Sequence, residues 1–130
     1  MAALTDSSAE RVLNWIMAQA TVAPVGPMQI ALLTIAGDDV NPGTEVVGGG
    51  YSRQVYVPTP AATAGGVTTV RNTNLIRFEN MPSGIVVAFA VYDSAPTPWR
   101  WLHALLTTAR TFDAGDPAEF AIGELVVTGD

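Results

Sequence analysis

The sequence holds one histidine, His103, the residue type most used as an acid or base near neutral pH, and it has neither a second histidine nor a cysteine to work with. A metal site would need carboxylates that the sequence does not bring to it, and a Ser-His-Asp triad is defined by a geometry that isolated residue types do not supply. His103 is therefore expected to be a packing residue, and the chain is expected to have no catalytic residues, no cofactor and no metal. Two carboxylate pairs stand beside glycine, Asp38 with Asp39 and Asp113 with Asp116. Neither has the spacing of an EF-hand loop, and acidic residues in turns usually accept from their own backbone amides. Gly48, Gly49 and Gly50 make a poor phosphate cradle, because no Lys-Ser/Thr follows them and no helix begins there. They read as a hinge whose residues can take positive φ.

Binding chemistry is better represented. Trp99 and Trp101 lie two apart, hence on one face of a strand, and Tyr92 lies in the neighbouring strand candidate. Two readings stand for these rings. They form a platform for sugar rings or a protein partner, or they fill the space between two sheets, as aromatic residues on half-buried strands do.

The elements that must position these residues are mostly strands. Met28 to Ile35 is an apolar run between Pro27 and the turn at Gly37, and Ile85 to Tyr92 enters through Pro82-Ser83-Gly84 and leaves at Asp93. In the second run Val86, Ala88, Ala90 and Tyr92 share one face and Val87, Phe89 and Val91 the other, so both faces are apolar and the strand is expected to be central. Tyr51 to Val57, Asn74 to Glu79, Trp99 to Leu106, Ala118 to Ile122 and Glu124 to Thr128 are further strand candidates, while Pro58 to Gly66 reads as a loop. One helix is expected over about 8–20, opened by a capping box from Ser7 to Glu10 and stopped by Pro24. Val12, Leu13, Ile16, Met17 and Ala20 form its apolar stripe, with Trp15 beside it. The pattern predicts a mainly β protein, an antiparallel β-sandwich with one short N-terminal helix, as a single domain over 1–130.

Composition narrows the function classes. The 130 residues carry six arginines, no lysine and twelve carboxylates, a formal charge of −6. The arginines are scattered singly, so no basic stripe is present for phosphate contacts and nucleic acid is not an expected partner. Only 14% of residues are charged while 48% are hydrophobic, which implies apolar surface that meets a partner. The expectation is a homo-oligomer, with a trimer as the favoured form. No stretch is apolar enough to span a membrane, and residues 1–20 lack the pattern of a signal peptide, so synthesis in the cytoplasm of the producing cell is expected.

Three segments carry a resemblance. Met28 to Thr34 (MQIALLT), Gly43 to Val46 (GTEV) and Gly48 to Gln54 (GGGYSRQ) follow in the order seen in a family of small tailed-phage proteins labelled tail fibre or minor virion proteins. The later landmarks are Asn74 to Phe78, Val87 to Asp93, Ala114-Gly115-Asp116 and Ile122 to Val126, so the resemblance covers roughly residues 10 to 128. The two tryptophans and histidine after Pro98 depart from the family pattern, and no repetitive shaft is present. The resemblance implies a virion structural protein that is not an enzyme and that binds other virion proteins, of the capsid or the tail. A capsid decoration protein is the first expectation, and a tail-tip or tail-fibre subunit binding a host receptor is the alternative. Within GGGYSRQ, Tyr51 and Arg53 share a face of an extended segment. Arg53 is expected to close the Gly48–Gly50 hinge by a forked ion pair with Glu45.

Overall fold

The computed structural model describes residues 3–20 and 23–129. In chain order these form β1 (Ala3–Leu4), α1 (Asp6–Ile16), β2 (Met28–Ile35), β3 (Thr44–Glu45), β4 (Gln54–Tyr56), β5 (Ala62–Ala64), β6 (Val67–Arg71), β7 (Ile76–Phe78), β8 (Gly84–Tyr92), β9 (Arg100–Phe112), β10 (Ala118–Phe120) and β11 (Val126–Gly129). All the strand pairs are antiparallel. The chain is mainly β with one short N-terminal helix, as its pattern predicts.

The main sheet runs β1-β9-β8-β2-β3, with β4 also paired to β2. Since β8 holds one edge of β2, β3 and β4 share the other, β4 beside Met28–Ile30 and β3 beside Leu33 and Ile35. Two smaller sheets, β10-β7 and β11-β6-β5, complete the fold. The core joins Ile30, Leu32, Phe89 and Val91 of the main sheet to Ile76, Phe78, Ala118 and Phe120 of the β7–β10 pair. Phe78 and Phe120 meet edge to face, with ring centroids 6.1 Å apart, a favoured aromatic geometry. On the opposite side of the main sheet, Leu33, Ala88 and Ala90 form a second, smaller apolar cluster.

Several elements differ from the sequence pattern for identifiable reasons. The register of β8 on β9 shifts between Val86 and Ala88, and a bulge re-aims every side chain on one side of it. Val86 consequently joins Phe89 and Val91 in the core, while Val87 packs with Ala88, Ala90 and Tyr92. Pro58–Gly66 is not all loop, since β5 and β6 form a hairpin around Gly65 and Gly66, whose φ values are 58° and 79°. A Gly-Gly pair with φ positive at both positions is the turn that matches strand twist.

The helix also begins and ends elsewhere than expected. Its N-cap is Thr5, whose Oγ1 accepts from the Ser8 amide at 3.2 Å, so Ser7 is inside the first turn. It stops well before Pro24, because Ala18 turns left-handed at φ 57°. The Ala18 amide donates to Trp15 O and the Gln19 amide to Asn14 O, which closes the end with paired backbone bonds of Schellman type. An alanine does here what glycine usually does.

Candidate functional site

Tyr51 and Glu45 fill the gap left between β3 and β4 on the edge of β2. There the Leu32 amide has no strand opposite it, and it donates instead to the Tyr51 hydroxyl at 2.9 Å. The Tyr51 hydroxyl in turn donates to Glu45 Oε2 at 2.7 Å. Arg53 closes the arrangement from the β4 side, donating from Nε to Glu45 Oε2 at 3.0 Å and from Nη2 to Oε1 at 2.8 Å. Its guanidinium carbon lies 3.8 Å from the Tyr92 ring centroid, a cation–π contact.

Electrostatics in this group follow from the contacts. Burial alone would raise the Glu45 pKa, but hydrogen bonds from Arg53 and Tyr51, with the Arg53 charge, hold it below the ordinary value. The bond to Glu45 keeps Arg53 above its ordinary value against its own burial. Burial, and the neighbouring carboxylate, push the Tyr51 phenol far up, so it stays a donor.

The glycines between these residues are needed for approach as well as direction. Gly49 has φ 57°, and a Cβ there would stand 2.5 Å from Asn80 O. The Gly50 amide donates to that same oxygen at 2.7 Å. Gly48 has φ 108° and its carbonyl accepts from the Tyr51 amide at 3.3 Å. The hinge is thus a turn pressed against the Asn80–Met81 segment, and the Glu45–Arg53 pair bridges its two arms.

A second cluster joins the start of α1 to the end of the main sheet. Trp101 is only 6% exposed, and its indole N–H donates to Asp93 Oδ2 at 3.2 Å. Asp93 is 3% exposed and also accepts from the amides of Trp99, Ala95 and Val25. Burial opposes the charge of Asp93, but these four donors outweigh it and lower its pKa. Trp99 donates from its indole to Ser8 Oγ at 3.1 Å, and the Arg11 guanidinium covers it at 3.3 Å from the ring centroid. Of the two readings of the tryptophans, Trp101 therefore follows the core one. Trp99 and Tyr92 line a cavity of about 400 Å³ together with Thr5, Asp39, Pro42 and Arg100.

His103 sits between these clusters, with Nε2 2.7 Å from Asp39 Oδ1. The bond ties the loop after β2 to the face of β9, and the Asp39 carbonyl accepts from the Asp6 amide at 3.2 Å. Asp38 accepts from the amides of Val40 and Asn41. Those bonds, with one from the Asn41 side chain, lower its pKa to about 2. Asp116 accepts from the Asp113 amide. Asp38 and Asp116 thus serve their own turns while Asp39 pairs with His103, and among the described residues no three His, Asp or Glu side chains gather as a metal site.

The region that sequence reasoning did not single out as a site is the second half of α1. Leu13, Trp15, Ile16 and Met17 are 61, 60, 64 and 67% exposed, and every residue from Leu13 to Ala20 lies on the surface. Large apolar side chains left bare together are a common feature of protein contact sites. The signal was present as an apolar stripe, but a stripe cannot say whether its own chain covers it. Among the described residues no helix is long and apolar enough to cross a membrane.

Comparison with known proteins bears on all of these features. A search of curated proteins gives no match. The model of one protein family, described as podophage GP4 fiber I protein gp80, matches residues 3–128. That span takes in the hinge, both clusters and the bare helix, so this chain belongs to the podophage GP4 fiber I protein family.

Proposed function

We propose that this chain is a non-enzymatic structural subunit of a phage tail fibre, held in the virion by other virion proteins that cover the second half of α1. The observation that carries the reading is the family match over residues 3–128, which favours a fibre over the capsid decoration protein expected from sequence. The bare side chains of Leu13, Trp15, Ile16 and Met17 supply a docking surface of the right character. Aromatic, Met and aliphatic side chains clear of charge are typical of the centre of a protein interface, and residues 12–20 carry no charged side chain. The same surface permits self-association, so the subunit is read as part of an oligomer.

Counting copies in purified virions tests the assignment. A fibre subunit is expected at far fewer copies than the major capsid protein. A copy number comparable to that of the capsid protein would replace the fibre reading with decoration of the head. Absence from the virion would overturn both.

A further inference from the structure

β9 runs for 13 residues, and its two edges are met unequally. β8 lies along one edge, while β1 covers the other only at Leu102 and His103. Ala3 stands opposite His103 and the Thr5 amide donates to Trp101 O. Alternate residues of a strand aim their backbone groups at the same edge, so Leu105 is the next to present its amide and carbonyl there. No strand of the described residues meets them. Just beyond, the ladder to β8 breaks as well, since Ala88 pairs with Leu105 and Val86 with Arg110. Leu106–Ala109 thus have no paired residue on either side. A cavity of about 420 Å³ opens along this stretch, with Leu105, Leu106, Thr107 and Thr108 on one wall and Val126 and Thr128 of β11 on another.

We propose that this cavity takes an extended, uncharged segment of another virion protein, added as a strand to the free edge of β9 where β1 stops. The inference rests on reading the chain as a virion subunit, and it adds a contact to the one at α1. Strand addition supplies main-chain partners to an open sheet edge, and an edge left open is a template for pairing. β1 is the precedent within the chain, an extended segment that pairs with β9 and also lies within 8 Å of β11. Charge selects the occupant. Among the described lining residues only Arg110 and Glu124 are charged, and they bond each other at 2.7 Å, so the pair neutralises itself. Leu106, Leu125 and Val126, with Thr107, Thr108 and Thr128, suit the small apolar and β-branched side chains of a strand. A second copy of this chain fits less well. Each copy carries a formal charge of −6, which opposes close approach, and the break in β9 opposes a regular β9-to-β9 pairing.

Hydrogen exchange of the β9 amides, followed by mass spectrometry of peptic fragments, is compared between the isolated chain and purified virions. The amides of Leu105–Ala109 are expected to exchange freely in the isolated chain, as unpaired edge groups do, and about tenfold or more slowly in the virion. A photoreactive residue in place of Thr107 is expected to crosslink to one segment of another virion protein. A synthetic peptide of that segment should protect the same amides in the isolated chain. The same peptide with proline at alternate positions should not, because proline lacks the amide that a ladder needs. Equal protection by the proline peptide would overturn strand addition. A chain present in the virion without added protection at Leu105–Ala109 overturns the proposal and leaves the fibre reading standing. Protection that rises with the concentration of the isolated chain, with crosslinks only to a second copy, overturns it in favour of self-association. Absence of the chain from the virion overturns this inference and the fibre reading together.

Discussion

The two halves of α1 are treated in opposite ways by the rest of the molecule. Thr5 and Ser8, at its start, are 2 and 0% exposed. Their hydroxyls donate to the Arg100 carbonyl, Ser8 Oγ receives the Trp99 indole N–H, and Arg11 lies over the Trp99 ring. From Leu13 onward nothing of this kind occurs among the described residues, and the larger apolar residues are exposed. A helix packed for stability would bury its stripe along its length. Here polar anchoring fixes the first turns and leaves the rest presented, so the first half determines where the second half is held. The contrast supplies a physical basis for reading α1 as a docking element.

The sharpest way to break that contrast is to remove the anchor. Asp93→Ala leaves the indole N–H of Trp101 and the amides of Trp99, Ala95 and Val25 without their acceptor. A loss of about 3 kcal/mol is expected in chemical denaturation, with weakened proteolytic protection of α1. The pH dependence has a definite sign. Asp93 and Glu45 have folded pKa values below their unfolded ones, so their contribution is present above about pH 4 and is lost as pH falls through the folded values. Melting temperature should drop on acidification below about pH 4, and more gently in Asp93→Asn than in the wild type.

A smaller effect is expected at the hinge on the other edge of the main sheet. Arg53→Lys and Glu45→Gln should each cost about 1 kcal/mol, since the pair is forked and only partly exposed. The double variant should be no worse than the worse single one, and strictly additive losses would show that the two side chains do not interact. At the free end of the helix the expected change is favourable and smaller still. Ala18→Gly relieves a left-handed alanine and should raise stability by about 0.5–1 kcal/mol, read as an increase in melting temperature.

Much of the framework is legible in the sequence because turn residues and apolar runs coincide. β2 spans Met28–Ile35 as the pattern indicates, and β8 is central with apolar residues on both faces. The Glu45–Arg53 contact is legible because the glycines between them force a turn and leave the fork of arginine a nearby carboxylate. Other features depend on tertiary contacts or go against local preference. Nothing local announces the bulge after Val86, which exchanges the two faces, or an alanine that ends α1 in place of glycine. β1 is two residues long and exists through its pairing with β9.

Docking through the second half of α1 and Met17 is tested most directly by one measurement. A Leu13→Ser, Ile16→Ser, Met17→Ser triple variant is supplied to a phage lacking the wild-type chain, and its amount in purified virions is compared with that of the wild type. These side chains are exposed, so the isolated variant should stay within about 0.5 kcal/mol of wild-type stability. If these side chains dock the subunit, the folded variant is absent from, or strongly depleted in, the virion. Incorporation of the folded triple variant at the wild-type level would contradict that docking.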